Sequence, residues 1–148
     1  MLNSLKKNPP KKIIYASSSS VYGNSKVLPT GEKHKLKPNN IYAKTKIQNE
    51  ILAKKYKKKY KLNICGLRFF TVYGEWGRPD MLILKFLDYA KKNKTFLLNN
   101  SGNHWRDFTY IDDVTSILIK LMSKKFIKNN IYNVCSNQPI FIKELVSY

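Results

Sequence analysis

The strongest constraint on the fold is a pair of short apolar runs that stop abruptly at polar turns. Lys12-Ile13-Ile14-Tyr15-Ala16 is rich in β-branched residues and ends in Ser17-Ser18-Ser19-Ser20. Leu62-Asn63-Ile64-Cys65-Gly66-Leu67-Arg68-Phe69-Phe70 ends in Thr71-Val72-Tyr73-Gly74. Near-continuous apolar runs of this kind are how parallel strands read when both faces are covered. Between them, from about Ile41 to Lys59, the pattern is helical. Ala43, Ile47, Ile51, Leu52, Tyr56 and Tyr60 form one apolar stripe with lysines opposite. Strand, helix and strand in that order predict an α/β fold with a parallel sheet. Open α/β sheets place their ligands at the carboxyl ends of the strands, which is where the serines fall.

The rest of the chain is read on the same frame. Residues 2–8 look like the tail of a helix closed by Pro9-Pro10. A polar loop with Pro29, Gly31 and Pro38 follows Val21-Tyr22-Gly23 and reaches Asn40. A helix is predicted from Met81 to about Lys92, a short strand over Thr95–Asn99, a turn over Ser101–Asp107 and an extended piece over Phe108–Ile111. Asp112 or Asp113 is expected to cap a helix running to about Lys124, apolar at Val114, Ile117, Leu118, Leu121 and Met122. Ile131–Cys135 reads as a last strand and Ile140–Tyr148 as the beginning of a helix. No internal repeat is present.

Composition narrows the class. A chain of 148 residues, 43% hydrophobic and 13% aromatic, suits a packed globular domain and excludes a disordered one. No run of 18 apolar residues exists, and Met1–Lys7 lacks the apolar stretch of a signal peptide, so a cytoplasmic protein without a membrane partner is expected. Cys65 and Cys135 lie in apolar runs and read as two buried thiols in a reducing compartment. His34 and His104 stand in a loop and a turn without metal-site neighbours, so no metal is expected. The 28 Lys and Arg against 9 Asp and Glu give a charge of +19, which raises the possibility of a nucleic-acid partner. The excess is mostly lysine dispersed on helix faces, and Lys, Asn, Ile and Tyr are all over-used, as in AT-rich coding sequence. No specific nucleic-acid partner is expected, and an anionic small substrate would profit from the same field.

One pair carries a chemical signal. Tyr42 and Lys46 are four residues apart, which on a helix puts their Cβ atoms about 5–6 Å from each other. A neighbouring ammonium favours a phenolate, and a tyrosine poised near the working pH is a candidate general base. Ser18 stands three places before Val21-Tyr22-Gly23, and Tyr42-x-x-x-Lys46 follows.

This arrangement resembles the extended short-chain dehydrogenase/reductase family of NAD-dependent nucleotide-sugar epimerases and dehydratases. Gly66–Gly74, Trp76-Gly77-Arg78-Pro79-Asp80-Met81, Arg106–Asp113 and Tyr132-Asn133-Val134 look like the UDP-glucuronate 4-epimerase branch. The resemblance covers nearly the whole chain. It implies the later part of a Rossmann-like sheet with its Ser/Tyr/Lys triad over residues 1–74. Residues 75–148 would form an incomplete nucleotide-sugar-binding region interleaved with late Rossmann elements.

It also implies the chemistry: Tyr42 takes the proton of the sugar 4-hydroxyl, Lys46 holds the nicotinamide ribose of NAD, and Ser18 holds the 4-hydroxyl. Tyr42, Lys46 and Phe69 are the implied cofactor residues; Ser18, Ser19, Thr71, Arg78 and Arg106 are the implied substrate residues, Arg106 on the UDP phosphates. Family dehydratases carry an Asp-Glu pair just before Val-Tyr-Gly, where this chain has Ser19 and Ser20, which favours epimerisation; Trp76-Gly77-Arg78-Pro79, typical of the glucuronate type, implies UDP-glucuronate to UDP-galacturonate. Supply of sugars for capsule or lipopolysaccharide is the pathway the family suggests. Arg68 is expected in a structural ion pair, and Glu75 stands where the family usually has Pro.

The six glycines include no Gly-x-x-Gly-x-x-Gly turn for the cofactor pyrophosphate. The chain is therefore expected to be somewhat under half of a family member. Two readings follow: a catalytic segment completed by a separate N-terminal half, or a non-catalytic remnant that dimerises through the helix after Tyr42.

Overall fold

A computed structural model describes residue 4 and residues 8–25 and 29–147, so the helix end expected over residues 2–8 falls almost wholly outside the described residues. The chain divides into two compact units, one of Met1–Phe70 with Ser116–Val134 and one of Thr71–Thr115 with Cys135–Tyr148.

The first unit is built on three parallel strands, β1 (Ile13–Ser18), β2 (Ile64–Phe69) and β5 (Ile131–Val134), in the order β1-β2-β5. The register aligns Ile13 with Ile64 and Ser18 with Phe69, and then Phe69 with Val134. The three strands thus end at one level. β2 is central, and Ile64, Cys65 and Leu67 are buried, each large apolar side chain contributing about 1.5–3 kcal/mol. Burial pushes the Cys65 thiol up to about 11, which leaves it inert at neutral pH. β1 was expected to be fully buried; only Ser17 is, because β1 pairs on one side only. Gly66 lets the flanking strands close over β2, since a Cβ there would lie 2.6 Å from the Tyr15 ring and 2.5 Å from Ile131.

Helix α1 (Ile41–Tyr60) starts at Asn40, whose side-chain oxygen accepts from the Ala43 N–H at 2.7 Å. Its predicted apolar stripe is only half right. Ala43 and Ala53 are buried, and Ile47, Tyr56 and Tyr60 half-buried, whereas Ile51 and Leu52 are exposed. The face turned to the sheet includes Lys46, Glu50 and Lys57, and each reaches a strand atom: Ala16 O, Ser17 and Arg68, and Ile64 O. The helix is held on the sheet by charged groups anchored to the strands as well as by alanines. A small core of Ala53, Leu62 and Ile64 packs with Ile13, Tyr15, Tyr56 and Tyr60.

Helix α3 (Ile111–Ser123) carries the chain from the second unit into the first. Asp112 and Asp113 lie inside its first turn, not before it, and act there on the helix dipole. Val114 and Leu121 are buried, but Met122, predicted on the same face, is exposed. Lys12 closes the other end, donating to the carbonyls of Leu121 (2.8 Å) and Met122 (2.7 Å) and to that of Lys124.

The second unit differs most from expectation. Thr71–Gly74, read as a turn, contains strand β3 (Thr71–Tyr73), parallel to β4 (Trp105–Tyr110) with Thr71 opposite Phe108. β4 begins at Trp105 inside the predicted turn because Trp105–Asp107 pair antiparallel with β6 (Pro139–Phe141). The segment expected to start a helix at Ile140 therefore begins as strand, and only Ile142–Leu145 form α4. Thr95–Asn99 is not a strand: Phe96 inserts between Phe86 and Tyr89 of α2 (Leu82–Lys91), with ring centroids 5.7 and 5.4 Å away, and Leu97 is left exposed. Asn100 and Ser101, both at positive φ, then reverse the chain.

Candidate functional site

In the first unit the site is assembled at the carboxyl ends of the strands. β1 ends in Ser18, which caps a 3-10 turn over Ser19–Tyr22; its Oγ accepts from the Ser20 N–H at 3.2 Å and the Ser20 hydroxyl at 3.0 Å. Val21 and Tyr22 are buried and pin the turn. Gly23 follows at φ 63°, where any Cβ would sit 1.9 Å from the Lys37 carbonyl oxygen. Val-Tyr-Gly is therefore two anchors and a backbone crossing. Ser19 is half-buried beside Ser18. Phe69 stands opposite Ser18 at the end of β2.

Helix α1 brings up the remaining pair. Lys46 Nζ donates to the Ala16 carbonyl at 3.1 Å, two residues before Ser18, and lies 5.4 Å from the centroid of the Tyr42 ring. The lysine thereby ties the start of the helix to the end of β1. Tyr42 remains 54% exposed, so its ring is open to a ligand. No hydrogen bond joins Ser18 to Tyr42 among the described residues; the two share the same end of the unit.

Sequence reasoning passed over Glu50, one helical turn beyond Lys46. Glu50 accepts from Arg68 Nε at 2.9 Å and Nη2 at 2.7 Å, and from the Ser17 hydroxyl at 2.5 Å. Arg68 also donates to the Tyr22 hydroxyl at 2.7 Å and the Glu32 carbonyl at 3.1 Å. The Tyr22 hydroxyl in turn donates to Asn133 Oδ1 at 2.7 Å. This fork, the ion pair expected of Arg68, fixes helix, 3-10 turn and strands to one another beneath the site. Burial alone would lower the Arg68 pKa; the hydrogen bonds to Glu50 and Tyr22 outweigh it and raise it. The spacing Tyr42, Lys46, Glu50 was a signal available in the sequence, since all three fall on one helix face.

The second unit holds Thr71, Arg78 and Arg106. Thr71 is half-buried on β3 and lines an apolar cavity of about 420 Å³ with Tyr73, Glu75, Met81, Leu84 and Phe108. Arg78 forks onto Asp80, Nε to Oδ1 at 3.0 Å and Nη2 to Oδ2 at 2.5 Å. Arg106 is exposed on β4 and lines a second cavity, of about 190 Å³, with Asp80, Lys85, Phe96, Leu98 and His104. His104 Nδ1 is buried there without a hydrogen-bond partner, and burial followed by the Arg106 charge depresses its pKa. Glu75 accepts from the Tyr110 hydroxyl with both carboxylate oxygens, at 2.9 and 2.8 Å. No group of three or more His, Cys, Asp or Glu among the described residues is placed to hold a metal ion.

Comparison with known proteins agrees with this architecture. UDP-glucuronate 4-epimerase 4 of Arabidopsis thaliana is 49% identical over 111 residues, 72% of this chain and 25% of that protein. A probable UDP-glucuronate 4-epimerase of Rhizobium meliloti is 40% identical over 122 residues, 82% of this chain and 36% of the relative. The structure of UDP-glucuronic acid 4-epimerase from Bacillus cereus, solved with UDP-glucuronic acid and NAD, superposes with a TM-score of 0.90 at 31% identity. That superposition covers 99% of this chain and 46% of the other, so the chain spans less than half the length of these relatives. The sequence pattern of the NAD dependent epimerase/dehydratase family matches residues 1–135. With strands, serine turn and Tyr42–Lys46 pair arranged as described, the chain belongs to the NAD dependent epimerase/dehydratase family.

Proposed function

We propose that this chain supplies the catalytic half of an NAD-dependent 4-epimerase that interconverts UDP-glucuronate and UDP-galacturonate, with Tyr42 as its acid/base. The observation that carries the reading is the Lys46 contact to Ala16 O, which fastens the Tyr42–Lys46 pair to the end of the strand that bears Ser18.

The residues present fit one end of the cofactor. Lys46 has three N–H donors and Ala16 takes one, leaving two for a ribose beside the open Tyr42 ring. The pyrophosphate needs a glycine-rich turn, and none of the six glycines stands in that spacing. NAD, when bound, supplies the acceptor and donor of hydride at the sugar C4. Tyr42 takes the proton from the 4-hydroxyl and returns it to the same oxygen once C4 has regained its hydride on the other face. Lys46 sets a positive charge beside the phenol as negative charge develops there. Ser18 holds the 4-hydroxyl, its own Oγ oriented by the two donors of Ser20. Phe69, opposite Ser18 at the end of β2, would help to hold the cofactor, and Ser19 and Thr71 would add hydrogen bonds to the sugar. Arg106 binds the UDP phosphates, and Arg78, leaving Asp80, meets the sugar carboxylate. Ser19 and Ser20, lacking the acid and base that elimination of water requires, support epimerisation over dehydration.

The test is a chimera in which this chain replaces the matching segment of the Bacillus cereus UDP-glucuronic acid 4-epimerase. The chimera should convert UDP-glucuronate, and Tyr42→Phe should lower kcat by roughly 10²–10⁴. A folded chimera that binds NAD but turns over nothing, or Tyr42→Phe within tenfold of the parent, overturns the assignment. The 148-residue chain by itself should not convert substrate, and conversion would refute the need for a second half.

A second reading, a non-catalytic dimerising module, draws on the exposed Ile41, Ile51 and Leu52 of α1. Sedimentation of the chain with and without Leu52→Lys checks it: a dimer that becomes monomeric on substitution supports the module.

A further inference from the structure

The charge of +19 is confined to one of the two units. The unit of residues 1–70 and 116–134 holds 21 of the 28 Lys and Arg and 2 of the 9 acids, Glu32 and Glu50, hence 21 − 2 = +19. The unit of residues 71–115 and 135–148 holds 7 basic and 7 acidic residues and is neutral. A lysine bias in the coding sequence acts on the whole reading frame, so it does not account for a charge that stops at a unit boundary.

Within the first unit the charge is also polarised. Glu50 is engaged by Arg68 and Ser17, and the Glu32 carboxylate accepts from the Asn133 N–H at 2.8 Å, both towards the carboxyl ends of the strands. The opposite, amino-terminal edge gathers lysines from three places. Lys11 and Lys12 lead into β1; Lys57, Lys58, Lys59 and Lys61 end α1; Lys120, Lys124, Lys125 and Lys128 lie on the end of α3 and the chain beyond it. Their proximity is shown by the Lys12 bonds to Leu121 and Met122 and by Lys57 Nζ, 5.8 Å from the Phe126 ring. Among these lysines three apolar side chains stand in solvent: Ile119, Met122 and Phe126, 61%, 68% and 63% exposed.

We infer that this edge docks on an anionic membrane surface, the lysines meeting acidic headgroups while Ile119, Met122 and Phe126 enter the headgroup boundary. The contact is peripheral, since no helix among the described residues is long and apolar enough to cross a bilayer. Two features favour lipid over nucleic acid. The unit's one arginine, Arg68, is buried in its ion pair, so no guanidinium is offered to a phosphate or a base edge. Solvated aliphatic side chains such as Ile119 and Met122 gain nothing on a phosphate backbone, but gain apolar burial at a bilayer. The face lies at the end of the sheet away from Ser18 and Phe69, so a docked molecule keeps its carboxyl edge open. The inference stands whether or not the chain catalyses epimerisation.

Flotation of the full chain with vesicles tests it, using phosphatidylcholine alone and phosphatidylcholine with roughly one-third phosphatidylglycerol. Binding to the anionic vesicles, none to the neutral ones, and loss in high salt are expected. Lys124→Glu/Lys125→Glu/Lys128→Glu should lower partitioning about a hundredfold. Met122→Ser/Phe126→Ser should lower it about tenfold with circular dichroism and binding to a short DNA duplex unchanged. No binding to anionic vesicles, or equal binding to neutral ones, overturns the inference. So does tighter binding to duplex DNA that the Met122→Ser/Phe126→Ser pair leaves intact, which would make the face a nucleic-acid surface.

Discussion

Glu50→Ala isolates the contact that sets the candidate site. The substitution leaves the Arg68 guanidinium facing a void where it had a bidentate carboxylate, with side chains only 5% and 11% exposed in the parent pair. Ser17 loses the acceptor of its hydroxyl, while Arg68 keeps the Tyr22 hydroxyl and the Glu32 carbonyl. Stranding one partner of a buried ion pair costs about 3–5 kcal/mol, a large part of the 5–15 kcal/mol that a domain has in all. At an m-value of about 2 kcal/mol/M the urea midpoint should fall by about 2 M. The transition is best followed by far-ultraviolet circular dichroism, because Trp76 and Trp105 both belong to the other unit and do not report on this one. Glu50→Leu/Arg68→Met should recover most of the loss, since an apolar pair of similar volume restores packing without a buried charge. The exposed Arg78–Asp80 pair, 76% and 60% accessible, is the control, and Asp80→Ala should cost less than about 1 kcal/mol. A loss at Glu50→Ala no larger than that of the control, or a double variant as damaged as the single one, would refute the account of α1 as clamped through this fork.

Other consequences follow from single contacts. The hydrogen bond to Glu75 holds the Tyr110 phenol up to about 12, above its ordinary 10.0, and lowers the Glu75 carboxyl. The Tyr110 contribution to stability is therefore complete below pH 10 and lost as pH rises towards about 12; that of Glu75 is present above its ordinary 4.5 and lost below it. In a spectrophotometric titration Glu75→Gln should move one late-ionising tyrosine down towards 10.0, and Tyr110→Phe should remove it. Lys12→Met removes the cation from the last carbonyls of α3 and should cost about 1 kcal/mol by urea unfolding; no change would show that water serves those carbonyls as well. Gly23→Ala, with its Cβ 1.9 Å from Lys37 O at φ 63°, should cost well over the ~1 kcal/mol of an ordinary left-handed alanine; a smaller loss would mean that the loop simply moves aside.

What the sequence determined by itself was whatever rests on local pattern. Apolar runs closed by polar turns marked β1, β2 and β5, and the helical period marked α1 to within a residue at either end, because burial of a strand or a helix face writes itself into consecutive residues. The spacings Ser18 to Val-Tyr-Gly and Tyr42 to Lys46 were equally legible, and the structure sets all of them at one end of one unit. Only the tertiary structure decided the rest. Thr71–Tyr73 and Pro139–Phe141 became strands since Trp105–Tyr110 offered them an edge on either side, and a segment of three residues has no period of its own to read. Ile51 and Leu52 face solvent although their spacing is helical, because Lys46, Glu50 and Lys57 found partners on the strands and took the inner face. Ten of the first unit's twenty lysines, dispersed along the chain, gathered at one edge only when the starts of β1 and β2 met the end of α3. Pairings distant in sequence follow from the choice among many possible partners, and that choice is made by the packed whole.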